Sequence, residues 1–501
     1  SLALAAPGLT LAGNASLEMQ DDYPLQGALD WQWHPDELAV LTARTRIQGN
    51  LRRLVLVQEI LTPYNAHAEL TLVDVLDTLQ LDGRLTLQDT ELAAISSDWP
   101  EMQLSTVLTL AGPLEQLQID GSANSRDAQG NRINALLDIE LQPGRLQIQT
   151  LQLGIPEQPA QLQLHGHIDF ALAEPGFELQ ADWQQLVWPL HTEPVASSAN
   201  GELTLTGNAS DWHIKAMALL DAPEYPSSQI QLQGDGNSGA FDITAFQARL
   251  LDGSLQGSAQ IAWTPQLTAR LALTGTGLNP ALQWRDWPGK LALRLQASLE
   301  SSGDTWLLRF DEAAVNGSLR QQPLQLATRG NYRSGTLQLD SATLTSGPSR
   351  LQLQGKLGND IDLDWEIDSP DLATLVPAAA GQLSGKGRLQ GTSQTPRITA
   401  QLTGRDLRYQ ADRIASVQLE AHIDAAGKQD SQLELVVAGG RLAGTSIDEL
   451  TLTGSGYPQA HALTLLATGS GIATDLAVDG SWEADIWSYT LKRAELMPDN
   501  L

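Results

Sequence analysis

His165 and His167 flank Gly166 in the alternating stretch AQLQLHGHIDFAL, so both imidazoles leave the same face of a strand, with Asp169 two residues further on. Two imidazoles and a carboxylate suit a divalent metal, but they suit the solvated side of a sheet equally, and we read them as the latter. GDGNSG, residues 234 to 239, fits the dinucleotide pattern GxGxxG. It leads into AFDITAF rather than a helix, so no helix N-terminus would meet a pyrophosphate, and it reads as a turn. None of the eight His precedes a Glu, and no GxSxG elbow occurs, which removes two common hydrolase signatures. The chain has no Cys, hence no thiol nucleophile, thiolate metal site or disulfide. Asp21, Asp22, Asp362, Asp364 and Glu366 fall at turns or along a strand face, and no pair stands apart as an acid and base. An enzyme, a cofactor and a metal centre are therefore not expected.

Leucine at every second position is what the chain has in quantity. Leu162, Leu164, Ile168 and Phe170 form one stripe, continued by Leu203, Leu205, Ile261, Leu271, Leu273, Leu291, Leu293, Leu295, Leu351 and Leu353. Side chains two apart share a face. Such a face is ordinarily core, but where covering structure is lacking it becomes a binding surface. These residues are the candidate lining of an apolar groove.

The elements that would position them are strands. ITAFQARLLDGSLQGSAQIAW and LQLDSATLTSGPSRLQLQGKL alternate throughout, with Asp-Gly and Ser-Gly steps marking hairpin turns. The pattern predicts a long antiparallel meander, interrupted by a recurring motif of capping residue, short helix, X-Pro stop and new strand. Copies begin at Asp89, Asp182, Asn279 and Ser369, and a decayed fifth surrounds Pro24. In NPALQWRDWPGKLALRLQASL, Asn279 and Pro280 suit a helix start of about two turns, and Trp287-Pro288 ends it. The stops Pro100, Pro189, Pro288 and Pro377 lie 89, 99 and 89 residues apart. Repeat units of 1–88, 89–181, 182–278, 279–368 and 369–501 follow, forming one continuous region. Each insertion is expected where one curled sheet block ends and the next begins, with Trp183, Trp188, Trp284 and Trp287 wedged at the joins.

Thirty basic against fifty-nine acidic residues leave a net charge of −29, which disfavours nucleic acid as a partner. No run of 18 apolar residues occurs, so no helical span is expected, and the opening SLALAAPGLTLAG lacks the basic region of a signal peptide and reads as the interior of a longer protein. Apolar residues make up 42% but aromatics only 5%, so the apolar surface is built from Leu and Ala.

FQARLLDGSLQGSAQIAW, WPGKLALRLQ, LRYQ at 407–410 and the closing GSWEADIWSYTLKRAEL together resemble the TamB family of the AsmA-like superfamily, over essentially the whole chain. The resemblance implies a periplasmic β-groove, open along one side like a taco, that carries phospholipid acyl chains and serves outer-membrane biogenesis. It also implies an N-terminal anchor in the inner membrane and pairing with the outer-membrane barrel TamA. Neither an anchor helix nor a docking domain is recognisable within residues 1–501.

The expected fold is all-β, an elongated, curled antiparallel sheet with short helices inserted about every 90–100 residues. Roughly forty strands of ~10 residues, spaced about 4.8 Å, would extend ~190 Å. The expected function is a lipid-transfer bridge. The rival is a secreted β-solenoid or adhesin whose Leu stripes meet in a closed core, although solenoid coils repeat every 20 to 30 residues.

Overall fold

The computed structural model describes residues 2–498 apart from positions 7, 20–21, 35–38, 97–98, 129, 157, 172–173, 190–192, 304, 443 and 484–485. Alternation has the predicted consequence: nearly every segment is a strand. The chain divides into two units, Ser1–Ser238 and Gly239–Leu501. The first runs from β1 (Leu2–Ala6) to β16 (Tyr225–Gly236), the second from β17 (Ala240–Leu250) to β33 (Ile486–Pro498). The thirty-three strands among the described residues are fewer than expected because most are 9 to 15 residues long.

Within each unit every strand pairs antiparallel with its neighbours in sequence, as a meander requires. Among the described residues no pairing joins the first strand of a unit to its last, so neither unit closes into a barrel. Tight turns are of the kind that matches strand twist: Leu251-Asp252, Arg320-Gln321 and Ser334-Gly335 all have positive φ at both central residues. Register shifts between Ile243 and Phe246, Phe310 and Ala313, and Leu339 and Ala342 mark bulges in the middle of long strands. A bulge bends its strand and raises the local twist, which curls the sheet.

The insertions differ from expectation. Leu92–Ala94, Pro280–Leu282 and Leu372–Thr374 are single 3-10 turns of three residues, not two helical turns. Asn279 accounts for the brevity, because its Oδ1 accepts from the amides of both Ala281 and Gly289, each at 3.2 Å, and so ties the insertion's two ends together. The copy from Asp182 contains no helix among the described residues, since β13 (Gly176–Trp188) runs through it as strand. Around Pro24 the described chain is likewise strand from Leu25 to Trp33.

Nor do the insertions separate sheet blocks. They follow β7 (Gln80–Glu91), β13, β19 (Thr268–Leu278) and β25 (Ile361–Ser369), every sixth strand. Pairing continues across each one, to β8 (Met102–Pro113), β14 (Ala196–Asn208), β20 (Gly289–Ser302) and β26 (Ala379–Gly391). A ladder needs only alignment of the paired residues, so a few extra residues can loop out without breaking it. In a meander all odd-numbered strands end at the same edge, which puts the insertions of each unit along one rim. In the second unit Arg320, from the β21 (Thr305–Leu319) turn, links two of them. Its guanidinium lies 5.8 Å from the centre of the Trp287 ring and donates to the Ala373 carbonyl at 3.0 Å.

Candidate functional site

In the first unit, β12 (Gln161–Asp169), β13 and β14 bring the predicted residues together. Leu162 faces Trp183 and then Gly201; Leu164 faces Ala181 and then Leu203; Gly166 faces Leu179 and then Leu205; Ile168 faces Phe177. Leu162, Leu164, Ile168, Leu203 and Leu205 thus share one side of the sheet. Phe170 lies one residue beyond the end of β12 and is 46% exposed, so it belongs to the rim. Trp183 sits in mid-sheet rather than at a join, which corrects the position predicted for its packing role.

In the second unit the predicted residues fall on neighbouring rows. Ile261 of β18 (Gly253–Ala262) faces Ala269, Leu271 faces Ala259 and Ala297, Leu273 faces Leu295, and Leu291 faces Gly317. Leu353 of β24 (Ser349–Leu357) faces Trp365. Leu293 and Leu351 lie on one row, which runs from Ala248 and Leu255 through Gly275, Leu293, Val315, Leu326, Leu344, Leu351, Ile367, Gly385, Leu402, Leu419, Leu435, Leu452, Leu465 and Leu476 to Ala494. All seventeen strands of the unit contribute, and every member is apolar or glycine. At one strand spacing per step the row is about 77 Å long. Its last seven members, from Leu402 onward, are not among the residues expected from the sequence, although the same alternation runs through them.

Large rings lie over glycines on this face. A Cβ built on Gly201 would fall 2.1 Å from Trp183 Cζ2, one on Gly387 2.7 Å from Trp365 Cζ2, and one on Gly236 2.0 Å from Trp212 Cζ2. Each glycine faces its ring directly across the ladder. The indole fills the space that a side chain would take, and Trp183 also donates from Nε1 to Ser198 at 2.8 Å.

The face is not sealed. Only thirteen apolar residues are buried among those described, seven of them Ala, while the leucines of β12, β18, β19 and β20 are half-buried. The surface area is 30238 Å² for 53.9 kDa. Two compact units of half that mass would expose roughly 22,000 Å² together. The excess is what a single sheet layer leaves uncovered.

The opposite face is polar and carries ion pairs. Arg145 reaches Asp169 at 2.5 Å, Arg44 reaches Asp30 at 2.8 Å and Arg388 reaches Asp362 at 2.8 Å. The hydrogen bond from Arg145 holds the Asp169 carboxyl below its usual range, and that from Arg388 does the same for Asp362. His167 is 3.5 Å from Asp169 and His165 2.8 Å from Gln180, so the histidines are part of this polar lattice. No group of three residues fit to hold a metal occurs among the described residues. The best-defined concavity, about 670 Å³, is also on the polar side, between rows that include Glu366, Lys386, Gln401 and Glu420. It is an open trough between long side chains.

No helix among the described residues is long and apolar enough to cross a membrane. Residues 74–499 match the family model described as the TamB N-terminal domain. The translocation and assembly module subunit TamB of Haemophilus influenzae is 23% identical over 431 residues, covering 83% of this chain and 30% of that protein. The chain thus spans about 30% of the length of the curated relative it matches.

Proposed function

The chain belongs to the TamB family, and from that premise we propose that it is a segment of an intermembrane bridge whose apolar face carries phospholipid acyl chains across the bacterial periplasm. The observation that carries this reading is the unbroken apolar row across all seventeen strands of the second unit, on a face that no second layer covers among the described residues. A sealed solenoid core would bury its leucines fully, and here they remain partly exposed. Dimensions agree as well. A strand of 12 residues, such as β22 (Gln322–Arg333), is about 40 Å long, and bent near its middle it gives two walls of ~20 Å. One leaflet of hydrocarbon is about 15 Å deep. An acyl chain can therefore lie between the walls with its headgroup in water beyond the rim.

In this reading the longer protein is anchored in the inner membrane, reaches an outer-membrane barrel such as TamA, and serves outer-membrane assembly. No covalent chemistry is assigned to it. Photo-crosslinking amino acids at Leu271, Leu273 and Leu353 should capture labelled phospholipid in cells, whereas those at Arg294, Gln296 and Gln352, on the polar face, should not. Equal labelling of both sets would remove the basis of the proposal.

A further inference from the structure

Some arginines on the polar face meet a carboxylate: the residue directly across the ladder from Arg44 is Asp30, from Arg145 Asp169, and from Arg388 Asp364. Others do not, and Arg126 faces Arg132, but at one place three arginines follow one another on consecutive strands. Arg408 of β27 (Pro396–Tyr409) lies directly opposite Arg413 of β28 (Asp412–Asp424), and Arg413 lies directly opposite Arg441 of β29 (Ser431–Leu442). Facing residues in a sheet have Cβ atoms about 5 Å apart, so Arg413 sits within the ~8 Å screening length of physiological salt from each of its two neighbours. All three are exposed, and none makes an ion pair or side-chain hydrogen bond among the described residues. Like charges directly opposite one another destabilise a sheet. In a chain with fifty-nine acidic and only thirty basic residues, carboxylates to neutralise them are plentiful, yet none is placed across from these. The facing positions at the two ends of the row are Ala380 and Ser446.

We propose that Arg408, Arg413 and Arg441 form a binding site for a phosphate-bearing anion, either a lipid headgroup or free phosphate. Three guanidinium forks in a row present paired N–H donors to a tetrahedral oxyanion, the geometry at which arginine surpasses lysine. The site is at a rim. Tyr409, 53% exposed, adjoins Arg408 at the end of β27, and the row next to the arginines on the opposite face is apolar, Leu407 facing Ile414 and Ile414 facing Gly440. A phosphate held here is thus separated from the apolar face only by the edge of the sheet. The inference rests on the arginine register alone and stands or falls independently of lipid transport.

Binding of inorganic phosphate to this chain, at constant ionic strength against chloride, should be saturable and should raise the melting temperature. Flotation with vesicles containing phosphatidic acid, compared with vesicles given equal negative charge by oleate, identifies the source. Binding to inorganic phosphate assigns the site to the free anion, and a preference for phosphatidic acid without it assigns the site to a headgroup. Arg413→Gln, which removes the central cation, should weaken either interaction about tenfold or more. The same variant should melt no lower than the parent without phosphate, because it relieves repulsion; Arg441→Gln provides the same test should Arg413→Gln misfold. Arg132→Gln, in the two-member arginine pair with Arg126, should change nothing. Absence of saturable binding to either probe, equal binding to oleate vesicles, or full binding by both arginine variants would overturn the proposal.

Discussion

Placing one carboxylate on the apolar row gives a direct measure of whether lipid travels along it. Leu293 lies between Gly275 and Val315 on the neighbouring strands and between Leu291 and Leu295 along its own, and it is half-buried. In Leu293→Asp the charge can still reach water from the open face, so the large cost of a sealed, unpaired charge is avoided and the sheet should fold. The passing acyl chain bears the cost instead. If about three methylenes face the carboxylate, at roughly 0.8 kcal/mol each, the barrier rises by ~2.4 kcal/mol and passage slows about 60-fold. Leu273→Asp should behave alike. The control is Arg294→Asp, which introduces the same side chain on the polar face, where only an exposed contact of 3.8 Å to Glu312 is lost, worth at most about 1 kcal/mol. Each change is placed in the full-length protein, folding is checked by circular dichroism and abundance, and rescue of envelope integrity is scored in a strain lacking this route. Leucine variants that fold and complement as well as Arg294→Asp would refute passage along this row.

Three further outcomes follow from the packing. Gly387→Val should destabilise its region by about 1–3 kcal/mol in urea unfolding, because a Cβ there meets the Thr399 carbonyl at 2.3 Å and the Trp365 ring at 2.7 Å; unchanged unfolding would mean the ring is not seated on the glycine. Ser349→Val should cost about 1–3 kcal/mol, since it strands the buried Ser369 hydroxyl that Ser349 contacts at 2.8 Å, and Ser349→Val with Ser369→Val should recover much of it. Burial of Asp424 opposes its ionisation, but the amides of Ala426 and Gln429 and the Arg397 guanidinium outweigh it and hold the carboxyl below the usual range. Its contribution is therefore complete above the unfolded value of about 3.9 and is lost as pH falls through the lower folded value. Hydrogen exchange at residues 424–431, corrected for intrinsic rates, should lose protection only below about pH 4; loss centred above pH 5, or persistence of the acid transition in Asp424→Asn, would contradict this account.

What the sequence determined by itself was everything with a short period. Side chains alternate along a strand whatever lies beside it, so Leu271 and Leu273, or Leu291, Leu293 and Leu295, had to share a face. Asp-Gly and Ser-Gly steps are a weaker signal: Asp252-Gly253 and Ser346-Gly347 turn, whereas Asp82-Gly83 and Ser384-Gly385 run on inside strands. The same locality explains the error over the insertions. Asn279-Pro280 and Trp287-Pro288 show that a strand pauses, but not that Asn279 closes the pause on itself or that the ladder continues on either side of it. Only the tertiary structure decided which residues lie across from one another. Trp365 meets Gly387, and Arg413 meets both Arg408 and Arg441, because cross-strand register sums the lengths of every turn and bulge between the partners. Whether the leucine face is sealed was likewise a tertiary matter. Alternation gives a strand one apolar side in an open sheet and in a closed core alike, and the difference lies in whether a second layer covers that side, which no single strand can encode.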